Sequence, residues 1–118
     1  MIEVGEYVRI NKDFRTICLG IGKVVNKNQN TIYIKMSSND LPIAFNVDSI
    51  AKHSKNIMDL IECGDIVETF DVLHNDVVYI WNEDMLKALK EDIENGIGIK
   101  SIVTHEQFES MKYKVEDD

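Results

Sequence analysis

A mainly β architecture with added helices (α+β) follows from three features of this 118-residue chain. A seven-residue opening recurs, several segments alternate with period two between turn signals, and two stretches carry helix caps and an apolar stripe. Together they predict two SH3-like small barrels in tandem, over residues 1–60 and 61–118, each closed by a short helix. One extra amphipathic, acidic helix is predicted over 83–95 in the second half. The recurring opening is Ile2-Glu3-Val4-Gly5-Glu6-Tyr7-Val8, which returns as Ile61-Glu62-Cys63-Gly64-Asp65-Ile66-Val67. A second echo sets Ser49-Ile50-Ala51-Lys52-His53 against Ser101-Ile102-Val103-Thr104-His105. Two matches in the same order point to a duplication, and Ile57 to Ile61 are expected to pack between its halves.

In chain order, the Gly-acid pairs Gly5-Glu6 and Gly64-Asp65 predict tight turns that open strands, because glycine accepts backbone conformations that a Cβ forbids. Tyr7 to Ile10, Gly22 to Lys27 and Thr31 to Met36 alternate as strands, with Asn28-Gln29-Asn30 as a turn. Ser37 to Asp40 break the last of them, and Pro42 limits its successor to an edge or a strand start. Asp65 to Leu73 and Val77 to Trp81 are the strands of the second half, with Asn75-Asp76 as their turn. Asn82 is a good N-cap, Glu83 and Asp84 suit the positive end of a helix dipole, and Gly96 stops the helix. Met85, Leu86, Leu89 and Ile93 form its buried stripe. Thr104 and Gln107 have capping-box spacing and open a short helix through Phe108 and Met111, with a counterpart beginning at Ser54.

Apolar residues make up 44% and charged residues 29%, a globular balance. The net charge of -8 disfavours direct binding of nucleic acid or anionic lipid, both of which need a positive surface. That charge is uneven. Residues 1–60 carry eight basic and six acidic groups, whereas residues 61–118 carry five basic and fifteen acidic ones. The start has no basic n-region and no apolar h-region, and the longest apolar run, Val77 to Trp81, is far too short to span a bilayer, so a cytoplasmic location without membrane contact is expected. Cys18 and Cys63 lack CxxC spacing and are expected as buried free thiols.

No catalytic pattern emerges, and neither enzyme activity nor a cofactor is expected. His53, His74 and His105 are scattered without metal-ligand spacing, and the echo gives His53 and His105 a shared structural role. Gly20-Ile21-Gly22-Lys23 lacks the spacing of a phosphate loop and opens no helix, so it reads as a strand bend beside a partner backbone. Carboxylate pairs in the second half sit at exposed helix spacing, where nothing desolvates them for acid–base work. Phe14, Tyr33, Phe45, Tyr79, Trp81, Phe108 and Tyr113 read mostly as core.

Two surfaces remain. Glu83, Asp84, Glu91, Asp92 and Glu94 could present an acidic face that competes with phosphate for a basic groove, or be a solvated helix face supported by the i,i+4 pairs Glu83–Lys87, Lys87–Glu91 and Lys90–Glu94. Arg9, Arg15, Lys23 and Lys35 could present an alternative face for nucleic acid on the first barrel.

The segments Lys52 to Val67 (KHSKNIMDLIECGDIV) and Ser101 to Glu116 (SIVTHEQFESMKYKVE) resemble a family of small uncharacterised proteins of phages and prophages of Gram-positive bacteria. Val77 to Gly98, with its helix, departs from the shorter form of that family. The resemblance brings no catalytic residues and implies a phage accessory protein. Such proteins commonly occupy a host protein's surface, as inhibitors of CRISPR nucleases do. The resulting expectation is a non-enzymatic, anti-CRISPR-like inhibitor of a host protein or ribonucleoprotein complex with a basic groove. The alternatives are a nucleic-acid-binding module using the first half and a phage assembly protein that self-associates through exposed strand edges.

Overall fold

The computed structural model describes residues 1–10, 19–37 and 40–111. The chain forms two antiparallel sheets. The first contains β1 (Tyr7–Ile10), β2 (Gly20–Asn28), β3 (Thr31–Lys35), β4 (Ile43–Asn46) and β5 (Ile50–Ser54) in the order β4-β3-β2-β1-β5. A one-turn 3-10 helix, Val47–Ser49, leads from β4 into β5, with Asn46 accepting from the Asp48 amide. The second sheet contains β6 (Ile66–Phe70), β7 (Asn75–Tyr79) and β8 (Gly98–Val103) in the order β7-β6-β8, with α1 (Glu83–Glu94) between β7 and β8 and α2 (His105–Met111) after β8. A mainly β chain with added helices is therefore correct. The described residues form open sheets rather than two closed barrels, and the second sheet adds a third strand, β8, to the two expected.

Alternation builds the first core. Val8, Ile10, Val24, Ile32, Ile34 and Phe45 all point to one side and are almost wholly buried. At about 25 cal/mol per Å² of apolar surface, each contributes on the order of 1.5–3 kcal/mol. Gly22 is the strand bend beside a partner: a Cβ there would stand 2.5 Å from Ile34 Cγ2 and 2.8 Å from the Lys35 carbonyl oxygen. The β2–β3 turn falls at Gln29-Asn30, as the polar run predicts, with Gln29 at φ 56°.

The repeated opening has the same backbone in both halves. Gly5 (φ 97°) and Gly64 (φ 100°) take left-handed conformations. Their amides donate to the carbonyls of Val24 and Ile80, whose own amides donate back to Glu6 and Asp65. β1 and β6 then match, β2 matches β7, and β5 matches β8, so β2-β1-β5 and β7-β6-β8 are one three-strand unit used twice. Helix α1 takes the place of the β3–β4 hairpin. Even the register breaks coincide, between Arg9 and Ile10 in one unit and between Glu68 and Thr69 in the other. The second echo does not follow this equivalence. His53 pairs with Val8, but the partner of the matching Val67 is Ile102, three residues before His105.

Other elements shift for local reasons. The helix expected from Ser54 is a single 3-10 turn, Ile57–Leu60, because Ser54 is still paired with Tyr7 in β5. Its Met58 joins Ile61 in the second core, so the segment does pack between the sheets. The β6–β7 turn precedes Asn75, because the Asp71 carboxylate accepts from the amides of Leu73 and His74 and closes the chain there. These two bonds hold Asp71 below the usual carboxylate range.

Helix α1 follows its signals closely. Asn82 Oδ1 accepts from the Met85 amide at 2.9 Å, and Asn95 and Gly96 (φ 108°) end the helix. Leu89 is buried, and Met85, Leu86 and Ile93 pack beside it on Val67 and Ile80. Thr104 and Gln107 form the predicted capping box, with the Thr104 amide donating to Gln107 Oε1 and the Gln107 amide to Thr104 Oγ1.

Candidate functional site

Arg9 is not on an exposed face. Its side chain is 0% exposed and crosses from β1 to the second half. It forms a bidentate pair with Asp65, Nη1 to Oδ2 at 2.7 Å and Nη2 to Oδ1 at 2.8 Å. Nη1 also donates to the Leu60 carbonyl and Nη2 to Glu106 Oε1, each at 2.8 Å. Asp65 is equally buried and accepts further from the amides of Glu62 and His105. Desolvation pulls the Arg9 pKa down, but Asp65 and Glu106 outweigh it and raise it above the ordinary value. This network joins the sheets and removes Arg9 from any nucleic-acid interface.

The acid of the repeated opening is buried in both halves, and each copy takes a different partner. Glu6 meets His53 Nδ1 at 2.6 Å, where Asp65 meets Arg9. His105 Nε2 lies 3.1 Å from Glu62 Oε1 and 3.5 Å from Glu106 Oε2. The fold thus gathers Glu62, His105 and Glu106, with ligand atoms within 4.8 Å of one another, from positions whose spacing gives no hint of it. Arg9 already engages Glu106, and Lys52 already engages Glu62 at 3.0 Å. Burial alone would raise the Glu62 pKa, but the bonds from Lys52 and His105 and the charge of Arg9 bring it below the ordinary range. These carboxylates therefore serve resident cations.

The acidic face of α1 is where the spacing put it. Glu83, Asp84, Glu91, Asp92 and Glu94 are all exposed. None of the three i,i+4 pairs closes to an ion pair within 4.0 Å, and with five acids against two lysines the helix stays net acidic. Glu91 and Asp92 lie about 12 Å along the helix from Glu83 and Asp84, at roughly 1.5 Å per residue.

Glu83 has one neighbour of its own, Cys63, whose Sγ donates to Oε2 at 3.3 Å. Cys63 is partly exposed rather than buried, and Val4, which it replaces in the repeat, is exposed as well. Both sit on the turn surface, ahead of the strand. Cys18 lies outside the described residues. The bond to Glu83, aided by desolvation, raises the Cys63 pKa. Alkylation by iodoacetamide near neutral pH is therefore expected to be slower than for an unstructured thiol, and Glu83→Gln should accelerate it, as read by mass spectrometry. Equal rates for the two proteins would show that the bond does not hold the thiol.

The aromatic residues divide. Phe45 is core, as expected, but Tyr79 and Trp81 are 56% and 65% exposed and Phe108 is also exposed. Phe14 and Tyr113 lie outside the described residues. Val78 and Ile80 face α1, so the alternating positions Val77, Tyr79 and Trp81 face the other way. The register places Ile66 beside Tyr79 and Val103 beside Ile66 on that same face. Phe70 covers Gly98, where a Cβ would stand 2.5 Å from its ring. One side of the second sheet is thus covered by α1, and the other is an exposed apolar face with Glu68 in it. Trp81 immediately precedes the α1 cap, which sets it beside Glu83 and Asp84.

Of the alternative basic face, Arg15 lies outside the described residues. Lys23 and Lys35 are opposite one another on β2 and β3. They line a cleft of about 660 Å³ that β8 also borders through Lys100, Ser101 and Ile102. Among the described residues no helix is long and apolar enough to cross a membrane. The chain matches no protein-family model, no curated protein and no solved structure.

Proposed function

We propose that this protein acts by binding another protein, without catalysis of its own, through the Tyr79–Trp81 face and the adjoining acids Glu83 and Asp84 at the start of α1. The observation that carries the reading is the apolar face of the second sheet, with Val77, Tyr79 and Trp81 each more than half exposed. Apolar patches of this kind mark interaction sites, and Trp and Tyr dominate the binding energy of such sites. The exposed acids Glu83 and Asp84, which follow Trp81 at the start of α1, give the rim of that face a sign, which selects a basic partner and speeds encounter with it, whereas Glu91, Asp92 and Glu94 lie on the solvent side of α1 and extend the acidic field away from it. The resemblance to phage proteins makes that partner a host complex that handles nucleic acid in defence, and the action an anti-CRISPR-like inhibition inside the host cytoplasm. The first half is read as SH3-like on its β4-β3-β2-β1-β5 order and the 3-10 turn before β5, and it serves as the scaffold.

The test is affinity capture of tagged protein from nuclease-treated host lysate, run in parallel with Trp81→Ala and with Asp84→Lys. One dominant partner retained by the parent chain is expected. Trp81→Ala should weaken it by about 30-fold or more, as a loss of roughly 2 kcal/mol implies. The charge reversal should weaken it further, most strongly at low salt. A partner bound equally by all three proteins would overturn this surface. Capture of nothing but further copies of the chain would favour the assembly reading, through the outer edge of β7, which no strand of the described residues covers.

A further inference from the structure

We infer that the cleft between the two sheets is a binding site for a nucleotide, a small ligand with a phosphate group and a planar apolar body. This site adjoins the exposed face of the second sheet at Glu68 but uses none of Val77, Tyr79 or Trp81. Lys23 and Lys35 are direct cross-strand neighbours on β2 and β3, an arrangement that costs the free fold stability. Neither has a carboxylate within 4.0 Å among the described residues. Lys100 comes to the same cleft from the other sheet, as the extra residue of the bulge opposite Glu68 and Thr69. Bulges are a common device for re-aiming a side chain at a site. Its own ion pair, to Glu68, is loose at 3.8 Å.

Three lysines thus border one cleft, and among the described residues no acidic side chain lines it, Glu68 standing just outside against Lys100 and Ser101, in a chain of net charge -8. That local inversion of the overall charge is what an anion with two or three charges would answer. The remaining walls are apolar, from Ile21, Val25, Met36, Ile57 and Ile102, with a hydroxyl at Ser37 and that of Ser101 already donated to Glu68 Oε1 at 2.9 Å. Tyr7 lies among them, its ring held beneath Lys23 Nζ at 5.5 Å from the centroid. A bare phosphate would leave these walls uncovered. A base lying along Tyr7, with its phosphates at the lysines, would use both. The cleft volume of about 660 Å³ falls within the range of small-molecule sites, roughly 300–1,000 Å³.

Titration of the full chain with ADP, GDP and UDP by calorimetry tests this, with pyrophosphate and a ten-residue oligothymidylate as comparisons. At least one nucleotide should bind with Kd below about 1 mM, tighter than pyrophosphate. Lys23→Gln/Lys35→Gln and, separately, Lys100→Gln should each weaken it by about tenfold or more while the far-ultraviolet circular dichroism stays unchanged. Absence of nucleotide binding would overturn the proposal, as would pyrophosphate binding equally well or affinity surviving in the variants. Binding of the oligonucleotide alone would overturn it in favour of a single-strand site. None of these results depends on Trp81 or the acids of α1, so this site and the protein-binding face stand or fall separately.

Discussion

Arg9→Ala is expected to destabilise the protein by about 3–5 kcal/mol, because it leaves Asp65 charged and buried without its counter-ion. Both side chains are wholly excluded from water, so solvent cannot replace the lost guanidinium. Urea unfolding should show the loss, and Tm should fall by more than about 10 °C. Removing Asp65 as well should cost less than the sum of the two single changes, since the second substitution removes the stranded charge. It will not restore full stability, because Asp65 also accepts from the amides of Glu62 and His105. A loss under about 1 kcal/mol for Arg9→Ala would mean that water reaches the pair and that it behaves as a surface bridge.

Leu89→Ala should cost about 2–5 kcal/mol by opening a cavity under the centre of α1. A twelve-residue helix is marginal alone, and Leu89 is its one fully buried contact with the sheet. The loss should therefore be local as well as global. Amide exchange over residues 83–94 should accelerate before that of β1 to β5, whose core lies elsewhere. Because the acids are displayed by this helix, partner binding should weaken although no charge has changed. Uniform acceleration across both sheets, with the helix no faster than the rest, would show instead that the two cores melt as one unit.

Much of this fold is written locally. Asn82 and Gly96 bracket α1, Thr104 and Gln107 open α2, and Gly5 and Gly64 announce matching turns, because each acts through its own backbone neighbours. What escaped depends on pairing. β8 was not foreseen because its bulge puts Ile99 and Ile102, three positions apart, on the same core face, which breaks the period-two signal. Arg9 reads as a surface charge until β6 brings Asp65 beneath it. The exposed acids of α1 were legible from helix spacing. Alternation grouped Tyr79 with Trp81 too, but it could not say which side of the sheet α1 would cover. Lys23 and Lys35 were legible as one face, whereas Lys100 joins them only through the second sheet.

The reach of Arg9 also bears on how the chain emerges from a ribosome. Asp65 follows Arg9 by 56 residues, which at roughly 5–20 residues per second is about 3–11 s of synthesis. Throughout that interval every strand of the first sheet can be made, and its core of Val8, Ile10 and their neighbours can close, because Arg9 alternates with them and points to the opposite face of β1. Until the second half is made that face is open to water, which solvates the guanidinium. The second copy of the Gly-acid turn then brings the carboxylate with which the face can be covered, so the order of synthesis matches the order in which the two halves can dock.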